Sequence, residues 1–386
     1  MALFEYFPNY IWNLSVAIAL ENGGKIGEIV DMCQPIRDAA NNGEDAGTAE
    51  FLKEWVKKAD TLVELAEEDL ENGREFSAGA KLKRASIYYV TAERMQGLGH
   101  PGRMDTYKKA LAAFARGTKY AGDNVERVEI PFGDGKQLSG HLTLAEGEGP
   151  RPIVVFCNGL DSCKEMLWLG GFPYALAKRG ISCLCVDQPG TGEALRFEEL
   201  PATYASEEWA SAWVDWLVEQ EFVDAKRIGM TGISLGGHYA PRAVAFEPRF
   251  ASGACWGANH NWAEVQQGRL KREGENPVPH YWNHVMWVFG ADDMDDFFAK
   301  AEGMHLNGVM EKINVPFLVT HGAHDRQISV DYAHQSYDQL SNSPKRELKI
   351  FTEREGGVEH VGADNMSFGT DFIADWFAET LGGHTS

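Results

Sequence analysis

Basic residues are few in this sequence. Its 386 residues include 36 Lys and Arg against 57 Asp and Glu, which gives a formal net charge of −21. A surface this acidic repels phosphate backbones and anionic lipid headgroups, so we expect neither nucleic acid nor membrane partners. A signal peptide and a membrane span are also missing, because the apolar run from Tyr10 to Leu20 is short, is interrupted by Asn13 and follows no basic residue. We therefore expect a cytoplasmic protein.

Cysteine and nucleotide-binding glycine motifs are sparse as well. The six cysteines form no C-x-x-C pair, so they are interpreted as buried thiols of a reducing compartment. No G-x-G-x-x-G follows a first strand, and Gly23-Gly24-Lys25 lacks the remaining residues of a phosphate-binding loop. We expect no cofactor.

Two kinds of pattern divide the chain. Up to about Tyr120, apolar residues recur at three- and four-residue spacing from Phe51 to Leu70, from Arg74 to Met95 and from Met104 to Phe114. This spacing predicts an all-helical N-terminal domain over residues 1–121. No repeat of fixed period is present, which argues against a helical-repeat array.

Residues 122–386 alternate short apolar runs with amphipathic segments. Val125 to Ile130 and Gln137 to Leu144 flank Gly133-Asp134-Gly135 and predict a hairpin. Further strands, separated by helices, are predicted at Ile153–Cys157, Ile181–Val186, Arg227–Ile233, Ala251–Trp256, Phe317–Thr320 and Leu348–Phe351. This order predicts an α/β domain with a mostly parallel sheet and helices on both faces. The Trp- and His-rich stretch at about 258–312 is interpreted as an inserted cap.

The strongest chemical signal is a serine between glycines. Residues Gly232 to Gly236 read G-x-S-x-G, directly after a predicted strand and before a predicted helix. The glycines allow a tight strand-to-helix turn that exposes the Ser234 hydroxyl, and the backbone N–H of Leu235 can face a developing oxyanion. The alternative is a glycine-rich turn with a capping serine.

A serine hydroxyl needs a base and an orienting carboxylate, in the chain order Ser, Asp, His for this kind of turn. Asp325 follows the predicted strand Phe317–Thr320, and His360 follows the last predicted strand. His321 and His324 are nearby rivals for the base, but both precede the acid. The spacing of these two histidines also resembles a metal-ligand cluster only weakly, and we expect no metal.

The second oxyanion donor should follow the strand Ile153–Cys157. Gly159 lets the backbone approach a substrate, and the N–H of Leu160 is the expected donor. The alternative is an ordinary strand-to-helix turn.

Several segments together resemble the α/β-hydrolases with a helical N-terminal domain, a group that includes pseudooxynicotine C–C hydrolases and fungal hydrolases that shorten polyketides. The segments are Asn158 to Glu165, Asp187 to Gly192, Gly232 to Tyr239, Glu247-Pro248-Arg249 and Thr320 to Asp325. The resemblance implies an α/β-hydrolase fold and a nucleophilic serine, an aspartate and a histidine at positions 234, 325 and 360. It also implies an active site in the crevice between two domains, and frequent homodimers.

The expected function is a serine hydrolase that forms an acyl-enzyme with a small-molecule acyl substrate. Cleavage of a carbon–carbon bond beside a ketone, in an aromatic or polyketide-like compound, is the first expectation. This cleavage needs a proton donor and an enclosed pocket. The residues expected to contact the substrate in that pocket are Asp161, His260, Trp262, Glu264 and Trp282. Packing between cap and sheet is the alternative for the tryptophans.

Other functions stay open from the sequence alone. Ester, lactone or thioester hydrolysis and acyl transfer fit the same residues. A non-catalytic small-molecule binding protein would keep the same fold. A prolyl-oligopeptidase-type peptidase is a further possibility, although such enzymes carry a β-propeller where this chain has helices.

Overall fold

The computed structural model describes residues 3, 5–7, 9–40, 47–272 and 280–386. Contacts divide the chain into two compact units. The first contains nearly all described residues up to Val125, together with residues 280–284. The second contains residues 126–272 and 285–386.

The first unit is helical. Its helices are α1 (Tyr10–Glu21), α2 (Ile26–Ala40), α3 (Gly47–Glu71), α4 (Glu75–Arg94) and α5 (Arg103–Ala121). The apolar positions of α3 form its core face: Phe51 stacks on Trp55 with ring centroids 5.0 Å apart, and Trp55 meets Tyr88 of α4 edge to face. Helix α5 ends at Gly122, whose φ of 68° is the left-handed conformation that glycine adopts without steric cost.

The second unit is built on one eight-stranded sheet with the order β1-β2-β4-β3-β5-β6-β7-β8. Its strands are β1 (Glu126–Phe132), β2 (Lys136–Thr143), β3 (Arg151–Cys157), β4 (Ser182–Val186), β5 (Val223–Ile233), β6 (Phe250–Trp256), β7 (Phe317–Gly322) and β8 (Arg346–Phe351). The first two strands form the predicted hairpin, with Phe132 opposite Lys136. Strands β3 to β8 are parallel to one another, whereas β2 pairs with β4 antiparallel. The predicted α/β class with a mostly parallel sheet is therefore confirmed.

Helices connect the parallel strands and cover strands that are buried along nearly their whole length. They are α6 (Lys164–Leu169), α7 (Phe172–Ala177), α8 (Gly192–Arg196), α9 (Ser206–Val218), α10 (Gly236–Phe246), α14 (Asp331–Asp338) and α15 (Met366–Leu381). All six cysteines are buried and unpaired.

The segment between β6 and β7 contains three helices, α11 (Trp262–Arg272), α12 (Tyr281–Val288) and α13 (Met294–Ala301). The cap was predicted over about 258–312, and its residues 273–279 lie outside the described residues. Within this segment, 280–284 group with the first unit and the remainder with the second. Among the helices described, none combines the length and the hydropathy needed to cross a bilayer.

Candidate active site

Ser234 occupies the turn between strand β5 and helix α10. Its φ is 59°, a left-handed conformation that costs a non-glycine residue about 1 kcal/mol or more. The backbone N–H of Ser234 donates to the carbonyl of Trp256, 2.9 Å away, which holds the residue in this conformation. A Cβ on Gly232 would lie 2.3 Å from the carbonyl oxygen of Gly236, so the spacing of the glycines is what lets the turn close.

A hydrogen-bonded chain links the three residues that the sequence predicted to act together. The Ser234 hydroxyl lies 2.8 Å from Nε2 of His360, and Nδ1 of His360 lies 2.8 Å from Oδ2 of Asp325. The Asp325 side chain is fully buried and that of His360 nearly so. This is the order of contacts that lets an imidazole accept a proton from a serine while a carboxylate orients the ring.

Neighbouring strands bring the acid and the base together. Asp325 follows β7 and His360 follows β8, and the two strands pair in parallel from Phe317 to Gly322. Beyond the sheet, the N–H of His324 donates to the carbonyl of Val358 at 2.9 Å, which continues the contact between the two loops. Residues far apart in sequence therefore meet because both loops leave the same edge of the sheet.

The loop that carries His360 is held by a carboxylate that sequence reasoning missed. Asp364 accepts hydrogen bonds from the backbone N–H groups of Gly357, Val358 and Glu359 at 2.8, 3.2 and 2.9 Å. No motif in the sequence singles out Asp364, since the N–H groups that donate to it become aligned only when the loop has folded.

The second missed feature is an ion pair between Arg326 and Glu359, whose two oxygens accept from two guanidinium nitrogens. Arg326 directly follows Asp325 and Glu359 directly precedes His360. Opposite charges next to the two predicted residues were the available signal, but the same signal is common on solvated surfaces.

The charges around Asp325 favour its ionised form. Burial alone would raise the pKa of Asp325, but His360, its hydrogen bond and the backbone N–H of Ile328 lower that pKa below its ordinary value. The carboxylate also accepts from the N–H of Gln327 at 2.7 Å. Asp325 is therefore an anion fixed in place, as an orienting group must be.

His321 is not the base that pairs with Ser234. It is buried, its Nε2 donates to the carbonyl of Ile328 at 2.9 Å, and it lies 3.5 Å from Oδ2 of Asp325. Burial lowers the pKa of His321. His321 therefore holds the loop around Asp325 through its hydrogen bond to Ile328.

The two predicted oxyanion donors lie in different loops. Leu235 directly follows Ser234, and Leu160 lies in the loop after β3. Within the described part of the chain, no acceptor binds the backbone N–H of either leucine. A Cβ on Gly159 would lie 3.0 Å from the Cβ of Ser234, so the loop after β3 approaches the serine as closely as a glycine allows.

The expectation that His260 points toward a substrate is wrong. Its ring is buried, and both nitrogens are engaged: Nδ1 with the hydroxyl of Ser336 and Nε2 with Oδ1 of Asn307, each at 3.0 Å. Burial lowers the pKa of His260, which keeps the ring neutral. A histidine whose two nitrogens both bind protein atoms has none left for a ligand.

Trp262 also packs against the protein. It is 4% exposed, stacks on Phe289 with centroids 5.1 Å apart and meets Phe297 edge to face. The structure therefore shows the packing alternative for this tryptophan, and the expected substrate contact is not observed.

The remaining expected substrate contacts are more accessible. Asp161 is half-buried in the loop after β3, and Glu264 is exposed in the first turn of α11, where it accepts from Asn261. Trp282 is half-buried and meets Tyr281 edge to face. It belongs to the first unit, whereas Ser234, Asp325 and His360 belong to the second.

The weak metal-ligand pattern at His321 and His324 is separated in space. His321 is buried, whereas His324 is exposed and pairs with Glu353 at 3.0 Å. Over the residues with described positions, no group of three or more His, Cys, Asp and Glu side chains is arranged to hold a metal ion.

Known proteins of similar sequence include hydrolases. The chain is 25% identical to the 2,6-dihydropseudooxynicotine hydrolase of Paenarthrobacter nicotinovorans over 92% of both chains. It is 24% identical to the hydrolase acrC of Aspergillus aculeatus, over 83% of this chain and 84% of that protein.

Solved structures show the same fold. The crystal structure of the 2,6-dihydroxy-pseudo-oxynicotine hydrolase matches with a TM-score of 0.76 and 22% identity over 95% of both chains. Wild-type AbyA5 matches with a TM-score of 0.67 and 19% identity, over 86% of this chain and 85% of that one.

Two family models each match more than half of the chain. The model described as Esterase FrsA-like matches residues 46–271, and that of the prolyl oligopeptidase family matches residues 173–384. The sheet order, the serine turn and these matches agree, so the chain is a hydrolase of the α/β-hydrolase fold that belongs to the Esterase FrsA-like and prolyl oligopeptidase families.

Proposed function

We propose that this protein is a serine hydrolase that forms an acyl-enzyme on Ser234 and cleaves a carbon–carbon bond beside a ketone. The observation that carries the proposal is the continuous chain of hydrogen bonds from Asp325 through His360 to the Ser234 hydroxyl. Such a chain has a clear chemical use, because a serine hydroxyl becomes a nucleophile only when a base takes its proton.

In the first step, Oγ of Ser234 attacks the substrate carbonyl and its proton passes to Nε2 of His360. Asp325 stays ionised and stabilises the resulting imidazolium through Nδ1. The carbonyl oxygen becomes an oxyanion, for which the N–H groups of Leu160 and Leu235 are the proposed donors. One such donor typically contributes about 3 kcal/mol to the transition state.

Collapse of the tetrahedral intermediate breaks the bond to the leaving group. For a carbon–carbon bond, the electron pair leaves as an enolate, which requires a carbonyl or an aromatic ring beside the leaving carbon. The His360 imidazolium supplies the proton, because the nitrogens of His260 are bound to Ser336 and Asn307. Water then attacks the acyl-enzyme while His360 accepts its proton. The second tetrahedral intermediate collapses, the carboxylic acid leaves, and His360 returns the proton to Oγ of Ser234.

Similarity to C–C hydrolases supports the bond type. The 2,6-dihydropseudooxynicotine hydrolase aligns with 92% of this chain, including the helical N-terminal region that simpler α/β-hydrolases lack. An aromatic or polyketide-like ketone is the proposed substrate class.

Ester hydrolysis is the second candidate function. The Esterase FrsA-like model matches residues 46–271, and the esterase FrsA of Vibrio cholerae is 32% identical over 44% of this chain. An alkoxide is a better leaving group than an enolate, so the same three residues suffice without a further proton donor.

The two functions separate in a substrate panel. Purified protein is incubated with p-nitrophenyl esters, peptide nitroanilides and β-diketones, and products are identified by mass in water enriched in ¹⁸O. We expect cleavage of the diketone with one ¹⁸O in the acid fragment. Cleavage of esters alone would make the protein an esterase, and cleavage of nitroanilides a peptidase.

The role of Ser234 is tested in the same assays. Ser234→Ala should lower turnover by several powers of ten, and a fluorophosphonate probe should label the wild-type serine. A folded wild-type protein that is not labelled would instead favour a non-catalytic binding protein. We also propose a cytoplasmic homodimer, which sedimentation and cell fractionation would test.

A further inference from the structure

A fully buried lysine lies directly behind the loop that carries Leu160. Lys164 begins helix α6, has no exposed side-chain surface, and binds three carboxylates with Nζ. These belong to Glu165, Asp187 and Glu193. The cluster gives a structural role to two segments, Asn158 to Glu165 and Asp187 to Gly192, in which the proposed chemistry uses only the N–H of Leu160.

Asp187 is the centre of the cluster. Its carboxylate accepts from Nδ2 of Asn158 at 3.1 Å, from the N–H of Lys164 at 2.8 Å, from Nζ of Lys164 at 3.0 Å and from the N–H of Glu193 at 3.0 Å. These four bonds join the loop after β3 to the loop after β4. The contact admits no extra atom, because a Cβ on Gly192 would lie 2.0 Å from the Asp187 carboxylate.

We call residues 158–163 the oxyanion loop. Both ends of the loop are fixed by side chains. The N–H of Asn158 donates to Oε1 of Gln188 at 3.0 Å, and Nε2 of Gln188 returns a bond to the carbonyl of Asn158 at 2.9 Å. The Ser162 hydroxyl accepts from the N–H of Gly159 at 3.0 Å and donates to Oδ1 of Asn158 at 2.8 Å. Leu160 lies between these anchored positions.

The three carboxylates favour the charged form of Lys164, whereas burial raises the pKa of Asp187. Burial alone would lower the pKa of Lys164, but Asp187, Glu165 and Glu193 more than offset it and hold that pKa above its ordinary value. Arg127 adds a second cation through its bond to Glu193 at 2.7 Å. A buried ion pair gives little net stability compared with apolar packing. We therefore attribute the cluster to the precise geometry that it imposes on the oxyanion loop.

We propose that Lys164 and Asp187 are positioning residues that hold the oxyanion loop so that the N–H of Leu160 faces the oxyanion formed on Ser234. This inference rests on the proposed serine mechanism and adds the device that aligns its second donor. A loop displacement of about 1 Å is enough to lower a rate by about 100-fold, so the rigidity of the anchor matters for catalysis.

The test uses two variants and a matched control in the full-length protein. Lys164→Met removes the central charge. Ser162→Ala removes only the hydroxyl inside the loop and keeps the protein foldable, since Ser162 is half-buried. Ser211→Ala is the control, because its half-buried hydroxyl makes a similar bond, to Oε2 of Glu247 at 2.7 Å, on helix α9.

Each protein is assayed for kcat and KM on a p-nitrophenyl ester and for inhibition by trifluoroacetophenone. Oγ of Ser234 adds to the carbonyl carbon of the unhydrated ketone, its proton passes to His360, and the former carbonyl oxygen takes the oxyanion position. We expect Lys164→Met to lower kcat by about 100-fold and Ser162→Ala by about tenfold, with little change in KM. Inhibitor affinity should fall by the same factors, whereas Ser211→Ala should change neither quantity.

The outcomes separate the two proposals. A wild-type protein that fluorophosphonate does not label at Ser234 overturns the serine mechanism itself. A labelled wild type, together with folded variants whose kcat and inhibitor affinity are unchanged, overturns only the positioning role. If Lys164→Met does not fold, the near-isosteric Asp187→Asn takes its place, and unchanged kcat and inhibitor affinity in that folded variant overturn the positioning role.

Discussion

Arg326 and Glu359 form a two-bond ion pair beside the candidate active site. Nε of Arg326 donates to Oε2 of Glu359 at 3.1 Å, and the second guanidinium nitrogen donates to Oε1 at 2.8 Å. Because the pair joins the residue after Asp325 to the residue before His360, it ties the acid and base loops together at their functional ends. The Glu359 side chain is 6% exposed, which shields its half of the pair from solvent.

Glu359→Gln should therefore weaken catalysis more than substrate binding. We expect kcat to fall about tenfold, with KM nearly unchanged, because the distance between His360 and Asp325 becomes less well defined. Steady-state kinetics on a p-nitrophenyl ester measures both constants. Glu207→Gln is the control, since Glu207 forms an equivalent two-bond pair with Arg242 between α9 and α10. Equal kinetic effects of the two substitutions would remove the special role of Arg326 and Glu359.

The left-handed backbone of Ser234 predicts that a glycine variant is more stable than an alanine variant at this position, the reverse of the order inside a helix. Both Ser234→Ala and Ser234→Gly remove the hydroxyl, but only glycine adopts a φ of 59° without strain. We expect the Gly variant to be more stable than the Ala variant by about 1 kcal/mol, measured by urea unfolding. At Ser211, inside helix α9, the order should reverse by a similar amount. A more stable Ala variant at position 234 would contradict the strain.

His260 is expected to support the structure rather than the substrate. His260→Leu removes two buried hydrogen bonds and leaves the Ser336 hydroxyl without its partner, so the free energy of unfolding should fall by roughly 1–3 kcal/mol. KM should change little. Thermal or urea denaturation and steady-state kinetics provide the two readouts. A large rise in KM at unchanged stability would return His260 to the list of substrate contacts.

Glu247 should make the stability of the protein depend on pH. Burial opposes ionisation of its carboxyl, but hydrogen bonds from Arg249 and Ser211 lower the pKa of Glu247 from an ordinary 4.5 to about 2. Because the folded pKa lies below the unfolded one, the stabilisation is complete above pH 4.5 and is lost as the pH falls toward 2. Arg249 is partly exposed, so solvent screening limits the contribution to roughly 1–2 kcal/mol.

The measurement compares wild type with Glu247→Gln in urea unfolding at a series of pH values. The variant should be less stable at pH 7, and the two curves should converge as the solution is acidified. A difference in stability that is constant from pH 7 to pH 3 would show that the carboxylate charge has no part in it.

The sequence by itself determined the elements of the second unit. The eight predicted strands are all present. A strand buried on both faces has a mostly apolar sequence, and such a short apolar run can be recognised without knowing the rest of the fold. It also identified Ser234, Asp325 and His360 as the residues expected to act together. Their chain order and their positions after β5, β7 and β8 follow from the general rule that parallel sheets place sites at the carboxyl ends of their strands.

Only the tertiary structure decided which side chains meet. The apolar and histidine-rich pattern after β6 fits either a substrate pocket or internal packing. In the structure, His260 and Trp262 both contact residues from later in the chain, which is the packing arrangement. The anchoring of the oxyanion loop by Lys164 and Asp187 was likewise invisible. Burial of a charge depends on neighbours that only the strand order brings within hydrogen-bonding distance, and a linear pattern of residue types does not contain that distance.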